Sequence, residues 1–250
     1  MRQRILKWLG LALLLLAGLL SSLPASWLSW PVSRYSDGHW GVSEAKGTVW
    51  DGGAKLVYLG KGGEVRSMSP LAWKWQPKAL LSGLLVWHLD SAGQPGMLQL
   101  GFGKQEVRGL ALSLPVAALA DLSKTWQAAR LGGELQLNIP QLARQGKDVS
   151  GAVQISWRGA SSPLTTVLPF GSYQLDVAGT GQGLNLSLST LEGPLMISGQ
   201  GALPAGGGAF HMAGTADSPQ DKYDALKPLM LMLGQPAGPT SVSWQVKPGM

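Results

Sequence analysis

Apolar and polar residues alternate along most of this chain with a period of two. Leu98, Leu100 and Phe102 alternate with Gln99, Gly101 and Gly103. The same rhythm runs through Leu110–Leu112–Leu114, Leu135–Leu137–Ile139, Val153–Ile155–Trp157 and Leu184–Leu186–Leu188, and continues at Phe210 and Met212. A strand turns successive side chains to opposite faces, so each run predicts one greasy face and one small or polar face. That is the signature of antiparallel sheet covered on one side. Segment 84–89 is apolar on both faces and is placed more centrally. Val242, Trp244 and Val246 predict a last strand.

Gly and Pro punctuate the runs. Asp51-Gly52-Gly53 and Gly60-Lys61-Gly62-Gly63 predict hairpin turns, and Ala205-Gly206-Gly207-Gly208 a loop between strands. Pro115 and Pro140 each follow an L-x-L-x-L/I run and are placed at strand ends, since proline cannot donate to a ladder. A short helix is expected around 116–122. A longer one starts at Ser218-Pro219, presents Leu226, Leu229, Met230 and Leu233 at helical spacing, and stops at Gly234. Pro228 is expected to kink it.

The amino terminus departs from this pattern. Arg2, Arg4 and Lys7 precede a charge-free stretch from Trp8 to Ser33. Trp8 and Trp27 are nineteen residues apart, roughly 28 Å along a helix. That suits a hydrocarbon core with aromatic residues at both interfaces. Around Ser21–Ser26 no pair of small residues forms a cleavage site. The expected organisation is therefore a cytoplasmic leader at 1–7, an uncleaved transmembrane anchor at 8–30 and a periplasmic β domain at 31–250. Trp8, Leu14, Leu16, Leu20, Trp27 and Trp30 are the anchor residues.

Composition narrows the functional classes. The 250 residues contain no cysteine, which excludes disulfides, thiolate metal sites and cysteine nucleophiles. The net charge of +6 is spread without any Lys or Arg run, so no nucleic-acid footprint is present. His39, His88 and His211 are far apart and lack neighbours at ligand spacing, and no metal is expected. No G-x-S-x-G, H-E-x-x-H or P-loop occurs. Tryptophan, at eleven residues, is the exception to a bland composition. Trp73 and Trp75 share a strand face, and a buried aromatic wall competes with an exposed groove for a partner chain or lipid.

The order of these features resembles the type II secretion system protein N family over essentially the whole chain. The basic leader and apolar segment come first. Gly47-Thr48-Val49-Trp50-Asp51-Gly52-Gly53-Ala54 is similar to the family's Gly-x-Val-Trp-x-Gly stretch, and Trp73-Lys74-Trp75-Gln76-Pro77 to its W-x-W-x-P element. Gly151 to Trp157, Leu191-Glu192-Gly193-Pro194-Leu195 and Leu231-Met232-Leu233-Gly234 follow in order. The resemblance implies an all-β fold: an elongated, curved, mostly antiparallel sheet, half-open sandwich or folded sheet, with one transmembrane helix and few short helices. It implies a single-pass inner-membrane accessory subunit, not an enzyme and without cofactor. Its partners would be other type II secretion subunits, the inner-membrane platform or the secretin. Trp50, Gly52, Trp73, Trp75, Pro77, Trp157, Gly193, Pro194 and Gly234 carry the matched motifs and are expected to define the fold. The one-sided greasy strands leave a second reading, a lipid-binding or lipid-bridging β-groove.

Overall fold

The computed structural model describes residues 8, 11, 14–16, 18–60, 65–116, 128–205 and 208–246. Among the described residues fourteen strands form one sheet: β1 (Trp40–Gly47), β2 (Asp51–Leu59), β3 (Val65–Trp75), β4 (Leu84–Ser91), β5 (Gln94–Gly101), β6 (Lys104–Pro115), β7 (Gly132–Gln145), β8 (Asp148–Ser161), β9 (Gly171–Thr180), β10 (Gly183–Glu192), β11 (Met196–Pro204), β12 (His211–Asp217), β13 (Gln235–Pro236) and β14 (Ser241–Val246). The spatial order follows the sequence as far as β12, then runs β14 and β13. Every pairing is antiparallel. The sheet is single and open, so the sandwich alternative falls away. Where the connection is two residues long, as at 92–93, 102–103, 146–147 and 181–182, the chain can only return beside the strand it has left.

The register collects the predicted apolar runs on one face. Leu112 pairs with Leu137, Leu137 with Ile155, Ile155 with Leu175 and Leu175 with Leu188. The inner face is thus a leucine-rich stripe, mostly half-buried in its middle. Six register shifts interrupt the ladders, and each adds local twist.

Two segments cover the ends of this stripe. At one margin, a 3-10 turn (Ala25–Leu28) and a helix (Ser29–Tyr35) precede β1. They set Leu28 and Val32 against Leu56, Trp73, Trp87 and Leu98. At the other margin, the C-terminal helix (Gln220–Leu233) packs Leu226, Leu229 and Met230 with Ile197, Ala216 and Val242. Phe170, Tyr173 and Leu195 complete this core. Burying each large apolar side chain contributes about 1.5–3 kcal/mol, so the best-covered margin should be the most stable.

Several expectations need correction. Helical positions at the amino terminus end at Ser21, and Pro24 is extended with φ −63° and ψ 146°. Trp27 and Trp30 therefore sit on separate turns of chain, and no continuous helix runs from Trp8 to Trp30. Among the described residues no helix is long and apolar enough to cross a membrane, while positions 1–7 and much of 9–17 lie outside them. Asp51-Gly52-Gly53 is not a turn: it opens β2, pairing with Lys74, Trp73 and Ala72, and the chain reverses at 48–50 instead. Pro115 ends β6, but Pro140 lies inside β7 at a bulge, where a ladder donor is not needed. Phe102 leaves the inner face for the β5–β6 turn. Pro219, not Ser218, precedes the C-terminal helix, and that helix continues through Pro228. The helix expected at 116–122 lies almost wholly outside the described residues.

Leu226 is fully buried, whereas Leu231 on the same helix is about half exposed. Leu226→Ala should cost about 2–5 kcal/mol in urea unfolding, through lost burial and a residual cavity. Leu231→Ala should stay within about 0.5 kcal/mol.

Candidate functional site

Tryptophan and glycine turn out to work as pairs. Gly52 faces the Trp73 ring: an added Cβ would come within 3.2 Å of it and 2.6 Å of the Lys46 and Thr48 carbonyl oxygens. The Trp157 indole lies over Gly133, and the Trp244 ring over Gly199 and Gly214. Each indole N–H then donates to a backbone carbonyl nearby: Trp73 to Thr48 at 3.1 Å, Trp157 to Gly132 at 3.0 Å and Trp244 to Thr215 at 3.2 Å. A glycine lets the large ring lie flat on the sheet, and the ring supplies the burial the glycine lacks.

Two aromatic clusters result. At the β1–β4 margin, Trp50 packs 4.9 Å from Trp75 and is stacked 6.4 Å from Trp87. Trp50 Nε1 donates to the Leu20 carbonyl at 2.7 Å, and Pro24 forms a bridge with Thr48. The apolar amino-terminal segment is thereby tied to the first hairpin. Pro77 begins the 3-10 turn Pro77–Ser82 that follows Trp75. At the other margin, Trp157 packs 5.7 Å from Phe170 and 5.6 Å from Tyr173. Tyr173 Oη donates to the Leu195 carbonyl at 2.9 Å, and its burial raises the phenol's pKa.

The remaining motif residues shape this second cluster. Gly193 has φ +113°, and a Cβ there would collide with the Gly171 backbone. With Pro194 it forms the bend that presents buried Leu195 to Phe170. Gly234 is extended, but a Cβ there would strike the Ser243 carbonyl of β14. Sequence order thus separates residues that the fold gathers into two groups: Trp50, Gly52, Trp73, Trp75 and Pro77 in one, Trp157, Gly193 and Pro194 in the other. Of the anchor residues, Trp8, Leu14, Leu16 and Leu20 are helical and exposed, and Trp27 and Trp30 are exposed beyond the break.

Between the covering amino-terminal helix and the sheet runs a groove of ≈ 350 Å³. All of its lining residues are apolar, including Val49, Leu71, Trp87, Leu89 and Leu100. It offers shape and hydrophobic contact without a polar group to orient a reacting atom. Among the described residues no three His, Asp or Glu side chains could share a metal ion.

One polar cluster escaped sequence reasoning. Glu106 on β6 is only 3% exposed, yet it faces Lys104 at 3.5 Å and accepts from Gln141 Nε2 at 2.9 Å. Arg108 Nε also donates to it. Burial pushes its pKa up, but the hydrogen bond and charge of Arg108, with Lys104, hold it below the ordinary glutamate value. The K-x-E-x-R spacing, which puts all three residues on one strand face, was the available signal.

The architecture defines a class: an open antiparallel meander tied at one margin to an apolar segment. The chain belongs to the family described as type II secretion system (T2SS), protein N, which matches residues 38–245. That span starts just before β1 and closes within β14. The protein is accordingly a component of a protein-secretion system of the cell envelope. No curated protein and no solved structure matches the chain at a significant level.

Because Glu106 has a depressed folded pKa, its stabilising contribution is present above the unfolded pKa and is lost as pH falls through the folded value. Glu106→Gln should lower the urea midpoint at neutral pH. It should also flatten the loss of stability seen on acidification from about pH 6 to about pH 3. A variant as acid-sensitive as the parent would remove Glu106 from this account.

Proposed function

We propose that this protein is a single-pass inner-membrane accessory subunit of the type II secretion machine, with leader 1–7, anchor 8–30 and a periplasmic β domain at 31–250. It assists export of folded proteins across the outer membrane by contacting the inner-membrane platform or the secretin. Membership of the protein N family supports the setting. The observation that carries the anchoring is the tie from Leu20 and Pro24 to Trp50 and Thr48. It couples the sheet to a segment whose Leu14, Leu15, Leu16 and Leu19 are all exposed and need an apolar medium.

The two margins of the sheet differ in what they offer a partner. β1 carries a register shift between Ser43 and Lys46, with positive φ at Glu44 and Gly47, which bends its edge away from further pairing. β14 is paired with β13 at Val242 and Ser243, and its Ser241 carbonyl accepts from Ala237 N–H at 3.0 Å, which leaves the edge of Trp244–Val246. Its remaining length suits addition of a partner strand. The groove under Leu28 and Val32 supports a second reading, in which an acyl chain rests on the apolar face.

A photoreactive amino acid at Gln245 on β14 should crosslink to another secretion subunit in cells with an intact machine. The same probe at Ser187, mid-sheet on the polar face, should not. Equal labelling at both positions, or none at Gln245, would reject the strand-addition surface. Native mass spectrometry of the detergent-purified chain would separate the second reading, by lipid that survives detergent exchange.

A further inference from the structure

The turns at one end of the sheet form a continuous rim with the apolar amino-terminal segment. Trp50 holds the Leu20 carbonyl, and its own carbonyl accepts from Trp75 N–H at 2.7 Å. Trp75 leads into the 3-10 turn Pro77–Ser82, which carries Leu81 at 92% exposure and Leu80 about half exposed. The next strand starts at Leu84, paired with Gly101, so Phe102 lies beside that turn. Phe102 is fully exposed. Gly146 N–H then donates to the Gly103 carbonyl at 3.0 Å, setting the β7–β8 turn against the β5–β6 turn.

Two properties coincide on this rim. At its tips Leu81 and Phe102 are large apolar side chains left in solvent, which a protein surface in water does not favour. Lys78, Lys104, Arg144 and Lys147 flank them. The nearby acids are Asp51, Asp148 and Glu106, and Glu106 is buried and already paired with Arg108 and Lys104. Apolar wedges ringed by cations fit a bilayer interface with anionic headgroups, where the tips reach the acyl boundary and the cations meet phosphate. The opposite end of the sheet carries the acids Asp90, Glu192, Asp217 and Asp221 beside Arg34, Arg66 and Arg130, so the charge around its exposed Tyr35 and Val65 is mixed.

We infer that Leu81 and Phe102, with Lys78 and Lys147, dock this end of the sheet onto the anionic surface of the membrane that holds the amino-terminal segment. The sheet then stands on its rim with its strands rising from the bilayer. This rests on the anchored reading above, so the test carries a separate probe of the anchor.

The chain lacks cysteine, so single introduced thiols report one position each. The full chain carrying Leu81→Cys, Phe102→Cys, Asp221→Cys or Leu14→Cys is labelled with an environment-sensitive fluorophore. Each is reconstituted in phosphatidylcholine vesicles with or without phosphatidylglycerol. Nitroxide lipids should quench positions 81 and 102 at least about twofold more strongly than 221, and more so with phosphatidylglycerol. Adding Lys78→Gln and Lys147→Gln should remove the phosphatidylglycerol increment. If aqueous iodide reaches 81 and 102 as freely as 221 while position 14 is lipid-quenched, the rim is not docked and instead awaits a protein partner. An unquenched position 14 would overturn the anchor, and the docking with it. Equal quenching in both lipids would refute the electrostatic part.

Discussion

Everything in this fold answers to one constraint: a single sheet with a greasy face has no second layer to bury it. A sandwich would fold that face on itself, and an α/β protein would cover it with helices. Here the cover comes from two pieces of the same chain, one before the first strand and one next to the last. Leu28 and Val32 close over the β1–β5 margin, and Leu226, Leu229 and Met230 over the β11–β14 margin. Between them the inner leucines remain half-buried. The sheet is therefore held most firmly at its ends, and the middle strands rely chiefly on ladders and neighbouring side chains.

The second device is the pairing of tryptophan with glycine. Both residues are abundant, at 11 and 35 copies, and read separately they suggest only aromatic walls and turns. Read together they describe a way of filling a single-layer face. Trp73 over Gly52 and Trp244 over Gly199 and Gly214 spread broad rings on bare backbone and anchor each ring by one indole hydrogen bond. A side chain at those glycines would lift the ring and open the face to water. This accounts for motif glycines that sit in strands rather than in turns.

The period-two runs made the strands and the apolar face legible in the sequence, because side-chain direction in a strand is strictly local. Leu110–Leu114, Leu135–Ile139 and Leu184–Leu188 all point where the alternation directs them. The C-terminal helix was readable from the spacing of Leu226, Leu229 and Met230. What failed involved backbone choices made by contacts distant in sequence. Asp51-Gly52-Gly53 has the composition of a turn but is claimed by pairing with β3. Pro140 is tolerated inside β7 because a bulge removes the need for its missing donor. Trp27 and Trp30 share an apolar stretch with Leu14 and Leu20, yet the Pro24 bridge to Thr48 draws them onto the sheet side of the break. The motif tryptophans were visible individually, but their division into two clusters depends on strand order.

That break at Pro24 has a mechanical consequence. A helix passing without interruption into the sheet would transmit its own axis to the domain. Instead the chain bends, crosses the inner face through Ala25–Tyr35 and enters β1 from the far end. Two contacts, Trp50 with Leu20 and Pro24 with Thr48, then fix the junction at the near end. Short-range hydrogen bonds at the pivot restrict the sheet's tilt relative to the apolar segment, while the covering helix shares in the hydrophobic face it shields. Orientation and burial are thus supplied by the same stretch of chain, Leu20 to Tyr35. The chain that leaves the segment at Pro24 must close over the sheet before it can begin it.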